Sequence, residues 1–101
     1  MTMGRHEFAL SKVNDFCQRW KVTEFALFGS ILRPDFHPGS DIDVLVTFAS
    51  DATWTLFDFV TVQDELRKIF RREVDLVERD ALRNPFRRRA ILQNLQVIYA
   101  V

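Results

Sequence analysis

Along the chain the spacing of hydrophobic positions switches between a helical period and strict alternation, and the switches mark out the elements. From His6 to Trp20, the residues Phe8, Val13, Phe16 and Trp20 fall near one side of a helical wheel, which predicts an amphipathic helix. Thr23 to Phe28 is a short β-type run that Gly29-Ser30 ends. Arg33-Pro34 limits any helix after Ser30 to about one turn, because the residue before proline avoids the α region. Asp35 to Ser40 carries turn chemistry, with Pro34 before it and Pro38-Gly39 within it. Asp41 to Phe48 alternates as a strand: Ile42, Val44, Val46 and Phe48 point one way, and Asp41, Asp43, Leu45 and Thr47 the other. Trp54 to Phe70 reads as a helix with Leu56, Phe59, Val60, Leu66 and Phe70 toward the core. Arg72 to Val77 is a third strand. Asn84 as cap and Pro85 in the first turn begin a helix that runs through Arg87 to Leu95. Gln96 to Val101 closes the chain as an apolar strand. The order helix, strand, strand, helix, strand, helix, strand predicts an α/β or α+β fold.

Composition narrows the class. A length of 101 residues suits one domain, assigned here to 1–101. The hydrophobic fraction of 48% is enough for a packed core and argues against disorder. Ten Phe residues supply large buried areas and leave apolar surface for a partner. Cys17 stands alone, so no internal disulfide forms; it is read as a small core residue in a reducing, cytoplasmic setting. No apolar run approaches transmembrane length, and no membrane association is expected. The net charge is zero, which gives no reason to expect nucleic acid as a direct partner. The charge is unevenly spread: Asp41, Asp43, Asp51 and Asp58 weight the middle, and Arg79, Arg83, Arg87, Arg88 and Arg89 crowd the C-terminal third. An acidic centre beside a basic rim suits a metal-bound phosphate, and equally two solvated faces.

The chemistry concentrates at two strand ends. If the strand into Gly29 pairs antiparallel with the strand out of Asp41, Gly29-Ser30 lies beside Asp41 and Asp43. The two aspartates are two residues apart, so both carboxylates leave the same face. Neighbouring carboxylates repel unless a cation sits between them, and Mg²⁺ uses one or two carboxylates plus phosphate oxygens. Gly29 lets a phosphate approach the backbone, and Ser30 offers a hydroxyl and an N–H. The helix before the third strand makes a crossover, so that strand should run parallel to the second and bring Glu73 or Asp75 to the same end. Alternation alone does not choose between them.

Gly29-Ser30, ten intervening residues, then Asp41-Ile42-Asp43 resembles the signature of the polymerase-beta-type nucleotidyltransferase superfamily. The fuller strings Phe28-Gly29-Ser30-Ile31-Leu32-Arg33 and Ser40-Asp41-Ile42-Asp43-Val44-Leu45-Val46 resemble its minimal nucleotidyltransferase branch. Val74-Asp75-Leu76-Val77 is similar to the segment bearing that family's third carboxylate, which favours Asp75 over Glu73. The ending Asn84-Pro85, Arg87-Arg88-Arg89 and Tyr99-Ala100 is also similar. The resemblance implies a mixed four-stranded sheet flanked by helices. It implies an enzyme with two Mg²⁺ ions held by Asp41, Asp43 and Asp75, and ATP as donor held by Gly29 and Ser30, with Arg33 and Ser40 as further contacts. Minimal members are often encoded beside a HEPN-domain toxin, a predicted ribonuclease, and act as its antitoxin, in described cases by adding AMP to a toxin tyrosine. The resemblance therefore implies a HEPN-type partner.

Blander readings stand beside these. Arg33 meets triphosphate or pairs with Asp35; Ser40 shapes the turn or touches substrate; His37 is a solvated loop residue. Arg87, Arg88 and Arg89 form a solvated helix face, or contact an acidic partner or the nucleotide. Tyr99 packs at the last strand or sits at an interface. An antitoxin acting by occlusion without catalysis is the alternative function, and nucleotide addition to RNA a weaker one. Self-association is left open.

Overall fold

The computed structural model describes residues 3–32 and 41–101, with side chains described for 10–29, 32 and 41–101. Helix α1 spans Met3–Arg19, strand β1 Val22–Phe28, and a 3-10 turn Gly29–Leu32. Strand β2 spans Ile42–Phe48, helix α2 Leu56–Phe70 and strand β3 Val74–Glu78. A second 3-10 turn, Arg79–Ala81, leads to helix α3, Pro85–Gln93, and strand β4, Gln96–Ala100. The elements and their order match the sequence expectation, with ends moved by one to three residues.

The sheet runs in the order β3-β2-β1-β4. β1 is antiparallel to both β2 and β4, whereas β2 and β3 are parallel because α2 carries the chain back across the sheet. Each face is covered, which explains why the two central strands are apolar almost throughout. On one face α1 supplies Val13, Phe16 and Cys17, and α2 supplies Val62 and Leu66. They pack on Phe25 and Leu27 of β1, on Ile42, Val44 and Val46 of β2, and on Val74 and Leu76 of β3. The Phe25 ring meets Phe16 edge-on, 6.1 Å between centroids, and stacks on Phe70 at 6.4 Å. On the other face Ala26, Phe28 and Leu45 pack with Leu82 and with Ile91 of α3. The predicted alternation of β2 is thus realised, Leu45 serving the second core layer.

Local chemistry sets the helix ends. Thr55 and Asp58 form a reciprocal capping box: the Asp58 N–H donates to Thr55 Oγ1 at 3.3 Å and the Thr55 N–H to Asp58 Oδ2 at 2.9 Å. α2 therefore starts at Leu56 rather than Trp54. It ends at Arg71, whose φ of 56° is left-handed and cannot continue the helix. The Asn84 side chain accepts from the Phe86 and Arg87 N–H groups at 2.9 and 3.1 Å, as a cap before Pro85 should.

The expected core stripe of α2 needs correction. Leu66 is buried, and Phe59 and Phe70 are partly buried. Leu56 and Val60 are exposed, and Val62 is fully buried instead. The inward face is Phe59, Val62, Leu66 and Ile69, a three-and-four spacing; choosing Leu56 and Val60 rotated the stripe by about one residue. Cys17 is buried as expected, and burial pushes its thiol pKa up to about 12. Tyr99 packs against the first core layer. The side chain of Phe8 lies outside the described residues. No described helix is long and apolar enough to cross a membrane.

Candidate active site

Strand register builds the site. In the antiparallel pair, Phe28 is the partner of Asp43; in the parallel pair, Asp43 is the partner of Asp75. Phe28 belongs to the α3-side core, so Phe28, Asp43 and Asp75 form a row across three strands on that face. The row sits at the C-terminal end of β1 and the N-terminal ends of β2 and β3. The main chain leaves β1 there through Gly29 and enters β2 through Asp41, which is exposed.

Gly29 is required at its place twice over. Its φ is +74°, a conformation that costs an L-residue strain. A Cβ there would overlap Asp43 Oδ2 and stand 3.1 Å from Asp43 Cγ. The close approach of Gly29 to the Asp43 carboxylate, reasoned above from antiparallel pairing, is present.

Where β3 begins separates the two candidate third carboxylates. Glu73 precedes the strand, so alternation does not hold it on Asp75's face. Its carboxylate lies 3.1 Å from Arg67 Nε on α2, and its carbonyl accepts the Ile42 N–H at 3.0 Å. Asp75 faces the α3 side in register with Asp43, with Arg87 Nη2 4.0 Å from Asp75 Oδ2. The backbone of Ser30 lies in the first 3-10 turn, directly after Gly29, but its side chain is outside the described residues, as are Arg33, Asp35, His37 and Ser40 entirely.

Like charges directly opposed across strands destabilise a sheet. Asp43 and Asp75 therefore suit a cation between or beside them, and two carboxylates completed by phosphate oxygens are an ordinary donor set for Mg²⁺. The expected convergence of Asp41, Asp43 and Asp75 is not seen: among the described residues no three His, Cys, Asp or Glu side chains are grouped closely enough to hold a metal by themselves, and Asp41 precedes β2, so alternation does not hold it on Asp43's face. The donor set fits a metal that arrives with a phosphate ligand, rather than a closed protein cage.

Pattern reading missed the wall opposite this row. α3 crosses the sheet so that Arg87 stands by Asp75 while Ala90, Ile91 and Asn94 border a cleft of 480 Å³. Its other described lining residues are Phe28, Gly29 and Leu32. The signal was present as the i, i+3, i+4, i+7 spacing of Arg87, Ala90, Ile91 and Asn94. The neighbouring arginines Arg88 and Arg89 are exposed.

Comparison with known proteins identifies the family. Residues 11–98 match the sequence profile described as "Nucleotidyltransferase domain". A Methanocaldococcus jannaschii protein with the provisional name protein adenylyltransferase MJ1379 is 31% identical over 77 residues, covering 76% of this chain and 77% of its own. A chain of a toxin-antitoxin crystal structure with AMP-PNP superposes with a TM-score of 0.74 at 20% identity, over 91% of this chain and 73% of that one. A complex of a tri-AMPylated Shewanella oneidensis HEPN toxin with MNT antitoxin contains a chain with a TM-score of 0.68 at 18% identity, over 94% and 72%. At these identities the structural likeness is one of fold. With the profile spanning nearly the whole chain, and the relative from Methanocaldococcus jannaschii aligned over three quarters of it, the chain belongs to the nucleotidyltransferase domain family.

Proposed function

We propose that this nucleotidyltransferase transfers AMP from ATP to a hydroxyl of a partner protein, and that the partner is a HEPN-type toxin which the modification silences. The observation that carries the reading is the in-register pair Asp43 and Asp75 beside Gly29, in a chain of this family. The partner class is supported by the solved complex in which a HEPN toxin is tri-AMPylated beside an MNT antitoxin of the same fold.

In this reading Asp41, Asp43 and Asp75 would hold Mg²⁺ together with the phosphates of the donor. When bound, the ions supply charge neutralisation for the triphosphate and lower the pKa of the attacking hydroxyl. Gly29 and Ser30 receive the β and γ phosphates, Gly29 because nothing projects from it. Arg33 and Ser40 are proposed as further phosphate contacts. Asp75, half-exposed at the outer end of the row, takes the proton from the acceptor oxygen. That oxygen attacks the α-phosphorus, the bond to the bridging oxygen breaks opposite it, and pyrophosphate leaves. The partner brings its own hydroxyl into line by docking, which provides the orientation that a larger enzyme builds into a second domain.

The test is incubation with ATP labelled at the α-phosphate, Mg²⁺ and the product of the neighbouring gene, expected to be the HEPN protein. The HEPN protein should take up label and gain the mass of AMP on a Tyr, Ser or Thr, and Asp43→Ala should abolish both. Labelling of RNA with the protein left unmodified would refute the reading. Silencing of the toxin by Asp43→Ala with no AMP transferred would favour occlusion.

A further inference from the structure

We infer that the cleft between the Gly29–Leu32 turn and α3 receives the base of the nucleotide donor, and that the Asn94 side-chain amide reads the base edge as adenine. The inference rests on the nucleotidyltransferase reading of the carboxylate row and assigns residues that the row does not contain.

Size and chemistry carry it together. The cleft encloses 480 Å³, within the range of about 300–1,000 Å³ typical of small-molecule sites. Among the described residues its lining is Phe28, Leu32, Ile91 and Ala90, with Asn94 the one polar side chain and Gly29 shared with the carboxylate row. A flat, apolar-faced group with a polar rim fits such walls: the faces take the aliphatic and aromatic contacts, and the edge meets the amide.

Position points the same way. Gly29 belongs both to the cleft and to the contact with Asp43, so a phosphate held at Gly29 leaves the rest of the nucleotide at the cleft's mouth. Along α3, Arg87 stands by Asp75 and Asn94 follows two turns later, about 10 Å along the axis. Charged chemistry is therefore at one end of this helix face and apolar chemistry at the other. That is the polarity of a nucleotide from phosphate to base.

Asn94 supplies selectivity. A side-chain amide has a donor and an acceptor side by side. The adenine edge presents N6–H₂ and N7, which match both; guanine presents O6 and N7, two acceptors that leave the amide oxygen facing an oxygen. Asn94 follows the last residue of α3, and its own N–H is held by the Ile91 carbonyl at 3.2 Å, which fixes the backbone from which the amide reaches.

The test compares Mg²⁺-dependent binding of ATP, GTP and inorganic tripolyphosphate by calorimetry. The wild type should bind ATP more tightly than GTP or tripolyphosphate. Ala90 is exposed, so Ala90→Trp fills the cleft without entering the core. It should weaken ATP about tenfold or more and leave tripolyphosphate within about twofold. Leu32→Trp fills the same space from the opposite wall and carries the same expectation, so a folding defect in one variant leaves the other decisive. Asn94→Leu, which removes donor and acceptor at similar size, should reduce the ATP-over-GTP preference by about tenfold. Unchanged ATP affinity in a folded cleft-filling variant, or an unchanged preference in Asn94→Leu, would overturn the inference while leaving the carboxylate site intact. A wild type that binds neither ATP nor tripolyphosphate would remove the nucleotidyltransferase reading and this inference with it.

Discussion

Gly29→Ala tests the contact on which the site is built. Two separate costs are expected. The backbone cost comes from φ of +74°, about 1–2 kcal/mol for an L-residue in the left-handed region. The steric cost comes from the new Cβ, which overlaps Asp43 Oδ2 and drives that carboxylate from its rotamer at about 0.5–1.5 kcal/mol. The variant should therefore lose about 1.5–3.5 kcal/mol, a large part of the 5–15 kcal/mol typical of a whole domain. A double-mutant cycle separates the two terms. In an Asp43→Ala background the carboxylate is absent, and Gly29→Ala should cost only the backbone term, leaving a coupling of about 0.5–1.5 kcal/mol. Guanidinium unfolding followed by tryptophan emission gives all four stabilities. The reporters suit the purpose: the Trp20 and Trp54 rings meet edge-on at 5.2 Å, and the Trp54 indole N–H donates to the Trp20 carbonyl at 3.0 Å. Mg²⁺-dependent ATP binding should fall in the single variant, since the displaced carboxylate is a proposed metal ligand. Equal costs in both backgrounds would show that Gly29 serves only its φ. No cost in either would refute the argument entirely.

Other expectations follow from the same geometry. Asp75→Asn should abolish nucleotidyl transfer with stability little changed, while Glu73→Gln, which alters an exposed pair with Arg67, should retain it; the opposite result would mean that Glu73 turns toward Asp43 in the working enzyme. Phe25→Ala removes a fully buried ring that touches Phe16 and Phe70, and should cost about 3–5 kcal/mol by denaturant titration; a loss under about 1 kcal/mol would contradict the packing. The Glu65 carboxylate is held below its ordinary pKa, first by the Arg19 guanidinium and then by the Trp20 indole N–H. The folded protein therefore binds that proton less readily than the unfolded chain. The stabilisation is full above the unfolded value of about 4.3 and fades as pH falls through the lower folded value. Glu65→Gln should cost about 1 kcal/mol at pH 7 and progressively less below pH 4 in urea unfolding, and a gap that stays constant down to pH 3 would contradict this.

Much of this protein is written in its local pattern. The period-two run from Ile42 to Phe48, the cap at Asn84-Pro85 and the crossover helix before Val74 are legible because each depends on neighbours close in sequence. The placement of Gly29 beside Asp43 follows from the same reasoning, since antiparallel pairing of two strands leaves few registers that bury both apolar faces. The orientation of α2 was misjudged because Leu56, Phe57, Phe59 and Val60 offer overlapping stripes, and only the position of the sheet selects the one through Val62. Alternation left Asp75 and Glu73 equivalent, and family resemblance alone favoured Asp75. Tertiary structure separates them physically: β3 begins at Val74, the parallel register sets Asp75 against Asp43, and Arg67 on another element draws Glu73 away. The cleft between the Gly29–Leu32 turn and α3 had a local signature on one wall only, the i, i+3, i+4, i+7 spacing of Arg87, Ala90, Ile91 and Asn94, and nothing in that spacing says what stands opposite. Sequence determined the elements and the carboxylates that end them; the packing of α3 across three strands decided what stands opposite, because a helix's azimuth and crossing direction are set by the surface it buries rather than by its own residues.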